Sequence, residues 1–216
     1  MRILPFARFQ NLHEGNPAVV VGRGLTSYDY SQLCHERGVV FFINDAVCME
    51  KHLKVQVSYF FFHDAAMKKW LRLNLKSIAV IPEDGKCIGG LTDPALIESG
   101  CSGVLYRWNG MSGGELLKLG SAKVAELRQL FRHTGTIHSL LHFVWFCGIR
   151  TIKFIGCNGC NDKQRAGSSG AGDDGYDERL VNLSGTKPWW QYSEIRQKQD
   201  ELCRVLGIHF EHVPMP

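Results

Sequence analysis

The chain has 216 residues, 44% of them hydrophobic and 21% charged, which allows one sizeable buried core and excludes wholesale disorder. Its formal charge of +4 suits an anionic ligand. It does not by itself argue for nucleic acid, since Lys68, Lys69 and Arg72 on one predicted helix read as a solvated face rather than a basic patch. No signal-peptide pattern precedes the first predicted strand and no apolar run reaches membrane-spanning length. The eight cysteines are scattered rather than spaced as a disulfide framework, so a soluble, cytoplasmic protein with reduced thiols is expected.

In chain order, the first predicted strand is Ala18–Val21, which runs into Gly22-Arg23-Gly24. Val39–Ile43 follows and ends in Asn44-Asp45, then Tyr59–Phe62 ends in His63-Asp64 before a short helix, Ala65–Leu73. Strands Ser77–Ile81 and Gly103–Tyr106 precede a helix over Ser121–Phe131, which places Val124, Leu127 and Leu130 or Phe131 on one side. Thr134-Gly135-Thr136 opens the most apolar helix, which runs to Cys147 with Gly148 as its stop. Strand Thr151–Ile155 leads to Gly156-Cys157-Asn158. The segment from Asn161 to Pro188, rich in Gly, Ser and charge, interrupts the rhythm in the manner of a lid. A helix over Trp189–Leu206, set between Pro188 and Gly207, and a strand over Ile208–His212 complete the chain. Apolar strands alternating with helices predict an α/β fold: a single Rossmann-like domain over 1–216, with a mostly parallel sheet flanked by helices and a lid-like loop (about 161–188) before the last helix.

In open parallel sheets ligands bind outside the carboxyl ends of the strands, so the residues after each strand carry the chemistry. Gly22-Arg23-Gly24 lacks the third glycine of the dinucleotide fingerprint, with Ser27 in its place, and no Walker lysine follows. A phosphate-binding turn and a plain tight bend both fit it. His63 titrates near neutrality and suits a general base. Asp64 is read equally as a ligand for a metal bridging phosphates or as the N-cap of the next helix. Asp173, Asp174, Asp177 and Glu178 form an acidic knot in the lid segment. A solvated loop is the simpler reading, and a base or metal ligand delivered by closure, with Asp174 as its candidate, is the sharper one.

Three further groups have simpler structural readings. Cys157 and Cys160 have CxxC spacing but lack the other ligands of a zinc site, which favours two unlinked cysteines. His138 and His142 share a helix face without an acidic third ligand, which favours a structural role. Trp189-Trp190 packs the last helix or stacks on a base or sugar.

The stretches "VVVGRGLTSYDYSQL", "VVFFINDA" and "HTGTIHSLLHFVWFCGIRTIKFIGCN" resemble one family group. It comprises the bacterial sialyltransferases of the Campylobacter type and the related 6-hydroxymethylpterin diphosphokinase-like (DUF115) proteins. The shared features are a glycine turn after the first strand, an asparagine after the second, and a Ser/Thr-Gly opening a helix that leads to an apolar strand. The resemblance implies that Gly22, Arg23 and Gly24 wrap the nucleotide phosphates. It further implies that Asn44 hydrogen-bonds the nucleotide and that Thr134-Gly135 faces its phosphate or sugar. Asn158 stands where the sialyltransferases carry an aspartate, Arg23 where they carry an asparagine, and Thr186 where they carry a histidine base. Tyr176 is the nearest candidate for their phosphate-contacting tyrosines.

Together these readings predict a nucleotide-dependent transferase, foremost a glycosyltransferase using a CMP- or UDP-linked sugar donor, with Mg²⁺ compatible with the site. The acceptor is left open among glycan, lipid and nucleic acid, and a homo-oligomer is compatible with the sequence. Two alternatives stand beside it: a Mg²⁺-dependent diphosphokinase acting on a pterin-like alcohol, and a non-catalytic nucleotide-binding module.

Overall fold

The computed structural model describes residues 1–22, 38–44, 46–47, 50, 57–63, 65–72, 75–83, 100–108, 116–131, 135–157 and 189–213. Among the described residues nine strands form one sheet: β1 Arg2–Leu4, β2 Ala18–Val21, β3 Val39–Ile43, β4 Val57–Phe61, β5 Ile78–Pro82, β6 Ser102–Trp108, β7 Gln129–Leu130, β8 Thr151–Ile155 and β9 His209–His212. The order is β1-β6-β5-β4-β3-β2-β8-β9, with β7 beside β6, and every described pairing is parallel. The α/β, Rossmann-like expectation is therefore met.

Both faces of the sheet are covered at its centre, which is why β2, β3 and β5 read as nearly unbroken apolar runs. Alternation along the pleat sorts them. Val20, Phe41, Tyr59, Phe61, Val104 and Phe154 face a core completed by helices α1 (Ser121–Leu127), α2 (Thr136–Phe146) and α3 (Trp189–Val205). Val21, Val40, Phe42, Phe60, Phe62 and Ile81 face the opposite core, closed by Met67, Trp70 and Leu71 of a 3-10 helix over Ala65–Arg72. Cys101, Cys147 and Cys203 are buried as free thiols, as expected of small apolar side chains.

Several boundaries differ from the sequence reading. The helix predicted over Ser121–Phe131 stops at Leu127, because Arg128 turns left-handed (φ 53°) and Gln129-Leu130 leaves to pair with Arg107 and Trp108 of β6. Leu130 and Phe131 still reach the core, but from β7 and the residue after it rather than from a helix. β1 was not anticipated. Leu4 is its one buried residue, so it carries no alternation to read. The predicted stops hold: Gly148 (φ 87°) follows α2 and Gly207 (φ 65°) follows α3.

The segment after β1 packs beneath α2. Phe6 stacks on Phe146 at 4.8 Å, and Phe9 meets Phe143 at 5.8 Å. Beyond it, His13 and Tyr59 share a 2.6 Å hydrogen bond inside the core. Burial lowers the His13 pKa and raises that of Tyr59, so both stay neutral. Tyr59→Phe leaves the imidazole with an unmet partner. It should cost about 1.5 kcal/mol, a fall in Tm of about 4 °C by circular dichroism. No change in Tm would mean that His13 finds water in the mutant.

α2 is nearly enclosed, with only Thr136 and Trp145 partly open, so its polar side chains must be satisfied internally. His138 Nδ1 accepts the Gly135 N–H at 3.3 Å, and its Nε2–H donates to the Ile195 carbonyl at 3.1 Å. His142 Nδ1 accepts the Phe131 N–H at 2.9 Å. His138 is thus bonded through both ring nitrogens, whereas the buried Nε2 of His142 has no partner among the described residues.

Candidate functional site

The chain lays down β2, β3, β4, β5 and β6 towards one edge, then returns to place β8 on the other side of β2. The β2/β8 boundary is thus the topological switch point, where crossovers diverge and open a crevice at the carboxyl ends. The β2 and β8 tails touch there. Gly22 N–H donates to Ile155 O at 2.8 Å, and a Cβ on Gly22 would lie 2.5 Å from Gly156 O and 2.9 Å from Cys157 Sγ. Gly156 itself sits at φ 64°. The absence of a side chain at Gly22 is therefore required by the neighbouring strand.

The next two tails follow in order. The ladder aligns Val21 with Phe42 and Ile43 with Phe61, so Asn44 and His63 project one and two residues beyond the level of Gly22. At about 4.8 Å per strand, Gly22 and His63 lie about 10 Å apart across the sheet, with Asn44 between them. Asn44 adopts φ 51°, a left-handed conformation that asparagine tolerates better than most residues. Its Oδ1 is buried and finds no hydrogen-bond partner among the described residues.

His63 is half-buried in an aromatic corner, 4.9 Å from the Trp108 ring at 74° and 6.3 Å from Tyr106. Tyr106 Oη donates to Phe62 O at 3.1 Å and ties this corner to β4. Neither Tyr106 nor Trp108 was singled out in the sequence. Their only signal is the alternation of two aromatics around Arg107.

α2 brings its amino terminus to the same edge. Its last carbonyls, on Phe146 and Cys147, accept the Asn11 and His13 N–H groups at 3.0 and 2.8 Å, at the amino end of the sheet. Eleven helical residues rise about 16 Å, the depth of a five-residue strand, so Gly135 reaches the carboxyl edge. The Gly135 N–H points inward to His138. A Cβ there would lie 3.2 Å from both the His138 ring and Ile195 Cγ2, so this glycine is wedged against α3.

The edge thus unites Gly22, Asn44, His63 and Gly135. Arg23, Gly24, Asp64, Thr134, Asn158, Asp174 and Tyr176 lie outside the described residues, as does Cys160. Among the described residues no group of three His, Cys, Asp or Glu side chains could hold a metal ion, and no helix is long and apolar enough to cross a membrane. A cavity of about 330 Å³ lined by Asn11, Glu14, Arg150 and Thr151 lies at the opposite, amino edge and is separate from this site. No protein-family model and no curated protein matches the chain.

Proposed function

We propose that the protein is a nucleotide-dependent transferase, foremost a glycosyltransferase that uses a nucleotide-activated sugar at the carboxyl edge between β8 and β4. The observation that carries this reading is Asn44: a left-handed residue whose buried amide oxygen has no partner among the described residues, one strand from the switch point. A backbone in that conformation and an unmet acceptor both cost free energy, and such costs concentrate where a ligand supplies the missing donor. A nucleobase amino group or a ribose hydroxyl is such a donor. The resemblance to the sialyltransferase and diphosphokinase group supports the same assignment.

In this reading Gly22-Arg23-Gly24 and the Thr134-Gly135 turn take the phosphates, and the amino end of α2 adds a favourable potential for them. His63 removes the proton of an acceptor hydroxyl. The acceptor oxygen bonds to the anomeric carbon of the sugar, whose bond to the phosphate oxygen breaks. The nucleotide leaves with that electron pair, and Arg23 offsets its charge.

Thermal-shift measurements with CMP, UDP, GDP and ATP, each with and without Mg²⁺, test the assignment. A ligand at a hundredfold its Kd adds about 2.7 kcal/mol, or about 8 °C in a chain of this size. A pyrimidine nucleotide acting without metal favours glycosyl transfer. ATP acting only with Mg²⁺ favours diphosphate transfer, and silence from all four removes the nucleotide site. Asn44→Gly accommodates the left-handed backbone, so it should keep the Tm of the free protein while lowering nucleotide affinity about tenfold.

A further inference from the structure

Further along the same edge two arginines converge on one carboxylate oxygen. Glu83 follows β5, its N–H donating to Tyr106 O at 2.6 Å, and its side chain is only 17% exposed. Arg107 Nε of β6 donates to Glu83 Oε2, and one terminal nitrogen of Arg128 lies 3.6 Å from that same oxygen. Neither guanidinium forms the two-pronged pair with Glu83 that its planar fork allows. Arg107 spends one of its five N–H donors on the carboxylate, and Arg128 approaches it beyond normal hydrogen-bond distance. Both arginine side chains remain open to solvent, at 53% and 39% exposure. Among the described residues, two cations against one anion leave a net charge of +1 there.

The backbone adds a second observation. Arg128 occupies a left-handed position (φ 53°) at the end of α1, where glycine is the favoured residue. A half-open arginine held at 3.6 Å, beyond hydrogen-bond distance, gains little stability from its carboxylate, so this partial pairing with Glu83 does not explain an arginine in that conformation. The carbonyls at the end of α1 favour a cation, but they do not call for a second one from β6.

We infer that Arg107 and Arg128, converging on Glu83, form an oxyanion site that takes the phosphate or carboxylate group of a substrate. Guanidinium forks match the geometry of both groups. The site lies three strand spacings from β2, about 14 Å along the carboxyl edge, so it would hold a ligand distinct from the nucleotide phosphates. Under the transferase reading this ligand is an anionic acceptor. The oxyanion site itself does not depend on that reading.

The test is a titration of the full chain with inorganic phosphate and, separately, acetate, following the Nε–H resonances of Arg107 and Arg128 by NMR. Phosphate, acetate or both should shift the two resonances at millimolar concentration, and the tighter of the two names the group. Arg107→Gln and Arg128→Gly should together weaken that binding about tenfold or more. Arg128→Gly alone should leave the Tm unchanged or raised, because glycine suits the position. The site is refuted if neither anion moves either resonance, or if the double variant binds as the wild type does. Asn44→Gly should leave this titration intact while weakening the nucleotide response, so the two assignments fail separately.

Discussion

Replacing Gly22 with alanine should lower the Tm of the free protein by about 9 °C. The added Cβ would stand 2.5 Å from Gly156 O and 3.1 Å from Gly156 C, both backbone atoms, and 2.9 Å from Cys157 Sγ. A side chain can swing aside, but this carbonyl is fixed by the parallel register that aligns Val21 with Ile155 and by the bond from Gly22 N–H to Ile155 O. Relief requires the two strand ends at the switch point to separate. Overpacking of this kind costs about 3 kcal/mol, at the upper end of the usual range because the obstacle is main chain. Each kilocalorie is worth about 3 °C in a chain of this length. Gly120→Ala is the control, since no atom of the described residues lies within 4 Å of its Cβ position, and its Tm should move by no more than about 1–2 °C. Equal melting of the wild type and Gly22→Ala would show that the β2 and β8 tails do not meet as described.

Acid should destabilise the fold through His142, with a loss of about 3 kcal/mol between pH 6.5 and pH 4. Burial pushes the His142 pKa down to about 4 from an ordinary 6.5. Above pH 6.5 the imidazole is neutral in both folded and unfolded chains and contributes no pH dependence. Below that value the unfolded chain binds a proton that the folded chain refuses. Stability therefore falls with pH until the folded pKa is passed, and a gap of about 2.5 pH units corresponds to about 3 kcal/mol. The proton would have to enter at Nδ1, which already accepts the Phe131 N–H. His13, also lowered by burial, adds to the slope in the same direction. His142→Asn keeps an acceptor near the Nδ1 position and removes the titration. Urea unfolding at pH 7.5, 5.5 and 4.5 should show a flatter acid limb in this variant. An acid loss as steep as that of the wild type would assign the effect to another group.

How much of this was legible in the sequence differs from element to element. β2, β3 and β8 were readable to the residue: β2 and β3 because a strand covered on both faces has no polar interruption until it ends, and β8 because Gly148 and Gly156 bound it despite Lys153 in its middle. The overrun of α1 has a clear cause. Leu127, Leu130 and Phe131 fit helical spacing, and spacing alone does not distinguish a continuing helix from a turn that delivers the same side chains from a strand. β1 lies beyond any local pattern, since its three residues are defined by pairing with β6, about a hundred residues later. At the edge, Gly22, Asn44 and His63 could be listed as strand tails, but their stagger comes from the register of the ladder. The aromatic corner around His63 depends on a contact between Tyr106 and Phe62, 44 residues apart. The inward bond of Gly135 was equally hidden, since nothing in Thr134-Gly135-Thr136 indicates that His138 accepts its amide.

The strand order also dictates a sequence of events during synthesis. β2 gains its first neighbour when β3 appears, but its other edge stays open until residues 151–155 of β8 have been made. β1 likewise waits for residues 102–104 of β6. A growing chain thus carries an unpaired β2 edge until β8 is made, with loop closures too long to form quickly. Ribosome-bound fragments that end before β8 should be the species most prone to associate with one another. The crevice at the switch point comes into being only when the late strand arrives, so ligand binding cannot assist the chain before then.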